Sequence, residues 1–168
     1  MPIHSLIWLA FFISGGYKPS QDSILLSAEN KYAERNITFP SSVSSCIKEV
    51  MQPVKHSKRV ITLYINAENR SDSLAGIGVY LESSTNRKKT LRLASLYIPA
   101  SGPAAAYHSS ASGYSIELNS FLVNTDNTPF FGASLIRLRL VYLHPPDRIG
   151  SSGTVIVRKI QVKCKTLE

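Results

Sequence analysis

Few residues of this chain have the types and spacing that catalysis requires. Its four histidines are far apart in the sequence: His4, His56, His108 and His144. None of them stands in a metal-ligand spacing such as H-x-x-x-H, and the chain contains no G-x-S-x-G motif, phosphate-binding glycine loop or cysteine redox motif. Glu82 and Glu117 could form a carboxylate pair, but surface carboxylates of a basic protein usually form ion pairs. We therefore expect no enzyme, no metal ion and no cofactor.

A different set of residues has the chemistry to bind a ligand without transforming it. Strand alternation places all of its members on the sides of their strands that face away from the core: Tyr64, Asn66, Tyr80, Glu82, Arg137 and Arg139. Tyrosine rings stack on the apolar face of a pyranose, and arginines hold hydroxyl or carboxylate groups. These residues predict a shallow, basic, aromatic-lined surface for an acidic or neutral glycan. The alternative is that this outward face is simply solvated, since tyrosine is a common strand residue.

A second candidate group lies on and beside a loop that runs from Pro99 to Gly113. It consists of Tyr107, His108 and Tyr114. Tyr114 could instead belong to the core, because alternation resumes at that position.

The clearest structural signal is the period-2 pattern of the C-terminal strands. From Leu135 to Leu143 one side of the strand is apolar, with Ile136, Leu138, Leu140 and Tyr142, while Arg137 and Arg139 point the other way. The alternation slips between Val157 and Ile160, which predicts a β-bulge near Arg158 and Lys159.

About eight short strands, with no alternation of strands and helices, predict an all-β protein. We expect an antiparallel β-sandwich, jelly-roll or immunoglobulin-like, with the jelly-roll favoured. The strand over residues 60–67 and the strand around Ile77 to Leu81 are expected to pair as neighbours. The residues from Ser27 to Arg35 allow a short helix capped by Ser27, and the serines before Cys46 indicate strand and loop.

The strand order from about Lys58 to Cys164, with the closing segment Gly153 to Val162, resembles secreted jelly-roll carbohydrate-binding modules and galactose-binding-like domains. This resemblance implies a non-catalytic, lectin-like domain that binds a glycan on a concave sheet or in its loops. Those modules often carry Asp or Asn in the last strand. This chain has Arg158 and Lys159 there, so a structural calcium of the family kind is not expected.

The chain has two cysteines, Cys46 and Cys164. An even number of cysteines in an exported chain is compatible with a disulfide between them. Such a bridge would place the Cys46 segment beside the last strand. Two buried free thiols are the alternative.

The N-terminus indicates export. An apolar run from Ser5 to Ile13 is too short to span a bilayer and precedes small residues, which is typical of a signal peptide. We expect residues 1–16 to be a signal peptide and residues 17–168 a single secreted or extracellular sandwich domain without a transmembrane segment. An apolar N-terminal strand or short helix packed on the sandwich is the alternative.

Asn36 and Asn69 stand in N-x-S/T sequons and are candidate glycosylation sites in a eukaryotic secretory pathway.

The net charge of +8, from 19 Lys and Arg against 11 Asp and Glu, favours anionic partners. The charge is spread, with its densest group at Arg87, Lys88, Lys89 and Arg92, and no Arg-rich arm suggests nucleic-acid packaging. The expected partner is a glycan or acidic polysaccharide, and nucleic acid is not favoured. The second hypothesis is a structural or assembly protein, such as a viral coat or cell-surface adhesion subunit, with itself or another subunit as partner.

Overall fold

The computed structural model describes residues 23–52, 58–71, 73–100, 112–132, 134–143 and 153–166. The described residues form eight strands: β1 (Ile24–Ser27), β2 (Tyr32–Thr38), β3 (Arg59–Asn69), β4 (Ala75–Glu82), β5 (Thr90–Ile98), β6 (Ser112–Glu117), β7 (Leu135–Leu143) and β8 (Thr154–Thr166). They also form two α-helices, α1 (Ser41–Met51) and α2 (Asn119–Leu122), and a 3-10 helix over Thr125–Phe130.

The strands form two four-stranded antiparallel sheets that pack face to face. The first has the order β1-β8-β3-β6 and the second the order β2-β7-β4-β5. Four antiparallel strand pairs alternate between the two sheets. The pairs β1 with β8 and β3 with β6 lie in the first sheet, and the pairs β2 with β7 and β4 with β5 lie in the second. This strand order is that of a jelly roll. The structure confirms the all-β antiparallel sandwich expected from the sequence.

The core lies between the two sheets and is built by strand alternation. On β7, Leu138 and Leu140 are fully buried, while Arg137 and Arg139 point outward. The same alternation buries Ile61, Leu63, Ile65 and Ala67 of β3. The prediction of which face of β7 is buried is therefore confirmed.

The predicted pairing of β3 with β4 is wrong. β3 pairs with β6 and β8 in the first sheet, and β4 pairs with β5 and β7 in the second. The link between them crosses from one sheet to the other and is held by Asn69, whose Nδ2 donates to Ser73 O at 2.7 Å and to Ile98 O at 3.0 Å. Alternation tells which side of a strand is buried, but it does not tell which strand lies beside it.

The helices also differ from the sequence-based expectation. The segment before and around Cys46 is the helix α1, which buries Val43, Cys46, Ile47 and Val50 on one face. That i, i+3, i+4, i+7 spacing is the helical signal that the serine-rich composition obscured. Ser27 caps no helix. Its Oγ accepts hydrogen bonds from the backbone N–H groups of Glu29 and Asn30 in the turn before β2.

The predicted crosslink is present. Cys46 of α1 and Cys164 of β8 form a disulfide with a Cα–Cα distance of 6.5 Å. The bridge fastens α1 against the end of the first sheet, and it places the Cys46 segment beside the last strand, as expected.

The predicted bulge in β8 is also present and lies at Arg158. Lys159 is paired with Asn66 and Val157 with Ala67, so Arg158 is the extra residue. Its Nε donates to Glu68 Oε2 at 2.9 Å, and Arg70 Nε donates to Glu68 Oε1 at 3.0 Å. The Glu68 side chain is 4% exposed, so two guanidinium groups neutralise a carboxylate that is almost fully buried.

Candidate functional site

Four of the six predicted ligand-binding residues lie together on the outer face of the second sheet. Tyr80 and Glu82 of β4 stand directly opposite Arg139 and Arg137 of β7. Residues that pair across two antiparallel strands project from the same side of the sheet. These four side chains therefore share one outward surface.

Tyr64 and Asn66 lie on the outer face of the other sheet, because their strand β3 belongs to that sheet. The expected surface of all six residues is therefore not formed. The Tyr64 ring lies across Gly113 of β6, where any side chain would collide with it, and Lys163 Nζ is 5.0 Å from the ring centroid. Tyr64 thus covers its own sheet on the opposite side of the molecule from Tyr80.

Arg139 organises the centre of the second sheet's outer face. Its Nη2 is 3.1 Å from Glu34 Oε1 on β2, and its Nε is 3.1 Å from Glu82 Oε1 on β4. The guanidinium carbon also lies 5.4 Å from the centroid of the Tyr32 ring. Because both carboxylates and the ring hold Arg139 in place, its main role is to cross-link three strands.

Beside Arg139 is a depression of about 130 Å³ on the same face. It is lined by Glu34, Arg35, Asn36, Glu82, Arg87 and Arg137. Glu82 is 4% exposed, and Arg139 balances its charge. Within the described residues, the side chains of Arg35, Arg87 and Arg137 make no ion pair or hydrogen bond. We call these three residues the arginine triad.

Each member of the arginine triad is positioned by a different element. Arg137 lies on the central strand β7, opposite Asn36 of β2. Arg35 lies on β2, an edge strand of the sheet, at an inward position that becomes exposed because no described strand covers that edge. Arg87 lies in the turn between β4 and β5, which Ser83 holds closed by donating its N–H to Lys89 O at 3.0 Å.

The surface charge suits an anion. Three arginines and two carboxylates line the depression, and Arg139 pairs with both of those carboxylates. Guanidinium groups hold carboxylate, sulfate or phosphate oxygens through paired hydrogen bonds. Sequence reasoning missed Arg35 and Arg87 as site residues: the sequence around Arg35 allows a short helix where the structure has β2, and Arg87 belongs to a basic loop with no pattern that singles it out.

The two sequons differ in their surroundings. Asn36 is exposed on the edge strand β2, where its side chain lines the depression, and glycosylation there stays a prediction. Asn69 is 1% exposed, and its Nδ2 donates to two carbonyl oxygens. Glycosylation of Asn69 also stays a prediction, and its burial opposes it, because a glycan would replace one of the two Nδ2 hydrogens that these bonds use.

The second predicted group falls mostly outside the described residues. Tyr107 and His108 lie outside them, as do His4, His56, His144 and the predicted signal peptide over residues 1–16. Tyr114 is half-buried on β6, and its Oη donates to Tyr97 O at 3.3 Å.

In the part of the chain that the structure describes, no three His, Cys, Asp or Glu side chains are grouped to hold a metal ion. No helix within the same residues is long and apolar enough to cross a membrane.

Comparison with known proteins gives a fold and no family. No protein-family model and no curated protein sequence matches the chain. Among solved structures it is similar to a recombinantly expressed latent aurone synthase, a polyphenol oxidase, with 12% identity and a TM-score of 0.56 over 89% of this chain and 26% of that one. It is also similar to a latent apple tyrosinase, with 13% identity and a TM-score of 0.48 over 85% of this chain and 28% of that one.

The chain thus spans about a quarter of each of these proteins. The likeness to the aurone synthase, at 12% identity, concerns the sandwich fold alone. No family or sequence match supports the resemblance to carbohydrate-binding modules or galactose-binding-like domains, whereas the β-sandwich that the resemblance implied is present.

Proposed function

We propose that this chain is an exported, non-catalytic jelly-roll module that binds an acidic glycan on the outer face of the β2-β7-β4-β5 sheet. One observation carries the proposal: the three residues of the arginine triad line a single depression, and none of them has an ion-pair partner in the described residues. Neighbouring guanidinium groups repel one another, so an anion that binds all three relieves that repulsion and gains charge-assisted hydrogen bonds.

The same face also offers rings for stacking against a sugar. The Tyr80 ring lies over Gly78 of its own strand, so it is held close to the sheet beside Arg139. Tyr32 is 60% exposed at the edge of the same sheet. Rings next to cationic groups suit a polymer that presents apolar sugar faces and carboxylate or sulfate groups in turn.

Export is supported by the crosslink between Cys46 and Cys164. Disulfides persist in oxidising compartments and are rare in the cytosol of most organisms. An extracellular location would also give a basic module access to acidic polysaccharides.

A glycan array with acidic and neutral members tests the proposal. The wild type should bind uronic or sulfated glycans in preference to neutral ones, and the double variant Arg87→Ala/Arg137→Ala should lose that binding. The double variant Lys163→Ala/Lys165→Ala removes the same charge from the outer face of the other sheet and should bind nearly as well as the wild type. Equal losses in the two variants would mean that net charge, and not this site, determines binding.

An assembly subunit is the second candidate. The jelly roll also serves as a coat-forming fold, and the edge strand β5 carries Tyr97, which is 55% exposed. Sedimentation analysis of the purified protein decides between the two functions. A monomer across the micromolar range would argue against assembly. A concentration-dependent oligomer that dissociates in the Tyr97→Lys variant would argue for it.

A further inference from the structure

A second and larger depression lies at the open edge of the sandwich. It has a volume of about 450 Å³ and is lined by Ile24, Arg35, Asn36, Ile37, Val157, Arg158, Lys159 and Ile160. We call it the edge groove. Volumes of several hundred Å³ are typical of small-molecule sites.

The edge groove results from a mismatch in strand lengths. β1 covers only residues 154–157 of β8, a strand that continues to Thr166. Beyond Val157, no described strand pairs with that side of β8, and the edge strand β2 of the other sheet faces the gap. Among the described residues, nothing pairs across this edge, so the space between the sheets is open there.

The floor of the edge groove is aliphatic. Ile24 and Val157 are buried, and Ile37 and Ile160 are half-buried next to them. Ile37 and Ile160 project inward, since they pair with the core residues Ile136 and Ile65 respectively. These side chains form an apolar surface on which a hydrocarbon could pack.

The rim of the edge groove is cationic. Arg158 is committed to Glu68, but Arg35 and Lys159 have no ion-pair partner in the part of the chain described. An inward-pointing Arg35 on an edge strand also discourages pairing with other chains. That role leaves its positive charge free, and both Arg35 and Lys159 line the apolar groove.

We propose that the edge groove binds an amphipathic anion with a single aliphatic chain, such as a long-chain carboxylate. The hydrocarbon packs on the four aliphatic side chains, and the head group lies between Arg35 and Lys159. A sugar would leave the aliphatic floor without a complementary partner, and a neutral hydrocarbon would leave the two cations without one. Arg35 lines both depressions, and the other residues of the edge groove apart from Asn36 are different from those of the glycan site.

Calorimetric titration of the full chain with laurate, kept below its micelle-forming concentration, tests the inference. We expect saturable binding of one laurate per chain, about tenfold weaker in Lys159→Glu. The matched variant Lys163→Glu makes the same charge change further along β8, outside the groove, and should bind laurate like the wild type. Dodecyltrimethylammonium, which has the same chain length and the opposite charge, should not bind.

Absence of laurate binding by the folded chain would overturn the inference, as would equal weakening by the two lysine substitutions. The Arg137→Ala variant keeps the two proposals distinct, because Arg137 lines the smaller depression but not the edge groove. Retained laurate binding with lost glycan binding supports both sites. Loss of both ligands in this folded variant would overturn the assignment of laurate to the edge groove.

Discussion

Glu82 stands directly opposite Arg137 on neighbouring strands, but the cation that binds its carboxylate is Arg139, whose Nε lies 3.1 Å from Glu82 Oε1. Two arginines that alternate on the same face of β7 therefore have different roles. Arg139 joins Glu82 to Glu34 across three strands, whereas Arg137 makes no ion pair in the described residues and faces the depression. The division separates a residue that stabilises the sheet from one that is available to a ligand.

The Arg139→Ala substitution should destabilise the fold more than Arg137→Ala does. Removing Arg139 leaves the buried Glu82 carboxylate without its ion pair, which costs about 1 to 3 kcal/mol. Removing Arg137 breaks no ion pair in the described residues, so its effect on the free energy of unfolding should stay within about 0.5 kcal/mol. Urea unfolding measures both, and adding Glu82→Gln to Arg139→Ala should recover part of the loss. Equal losses of unfolding free energy in Arg139→Ala and Arg137→Ala would contradict this division of roles.

The Leu138→Ala and Leu140→Ala substitutions should each cost roughly 2 to 5 kcal/mol, because both side chains are fully buried between the sheets. Val141→Ala on the same strand is the control, since Val141 is only half-buried and should lose less. Thermal or urea unfolding gives the free energies. Near-neutral effects at both leucines would mean that the two faces of β7 are reversed.

Breaking the disulfide should weaken the fold without changing its strands. The bridge closes a loop between residues 118 positions apart, and in the chain-entropy model a loop of that length contributes about 4 to 5 kcal/mol. The Cys46→Ser/Cys164→Ser variant should therefore unfold at a much lower urea concentration than the wild type. Peptide mapping without reductant that recovered both thiols free would remove the premise of this prediction.

Period-2 alternation made several of these features predictable from the sequence. It identified the buried leucines of β7, and its interruption after Val157 indicated the bulge at Arg158. Alternation is a local property, set by the geometry of an extended chain. It therefore specifies sides of strands wherever a sheet has one buried face.

Strand order could not be predicted in the same way, because it depends on contacts between residues far apart in the chain. For that reason Tyr64 and Tyr80 were expected on adjacent strands, although the structure places them on opposite outer faces. Arg35 was missed for a different reason: its segment has little periodicity and allows a short helix, whereas the structure makes it part of the edge strand β2. Helix α1 was missed because its apolar spacing is diluted by serines.

The buried Glu68 carboxylate should make stability fall in acid. Burial raises the pKa of Glu68, but hydrogen bonds from Arg158 and Arg70 outweigh it, so the pKa lies below its ordinary value of 4.5. The resulting stabilisation is complete above the unfolded-state pKa and is lost as the pH falls through the folded-state value. The free-energy difference between the wild type and Glu68→Gln should therefore shrink as the pH is lowered below about 4.5. Urea unfolding across this range measures it, and a constant difference would contradict the assignment.

The most direct test of the account is the affinity of a uronic acid hexasaccharide for the wild type and for variants at Arg137, measured by calorimetry. The account predicts that Arg137→Ala weakens binding at least about tenfold, or about 1.4 kcal/mol. Arg137→Lys should recover only part of the loss, since lysine keeps the charge but not the paired hydrogen bonds. Tyr64→Ala, on the opposite face, should bind like the wild type. Unchanged affinity in a folded Arg137→Ala variant, or a loss confined to Tyr64→Ala, would contradict the account.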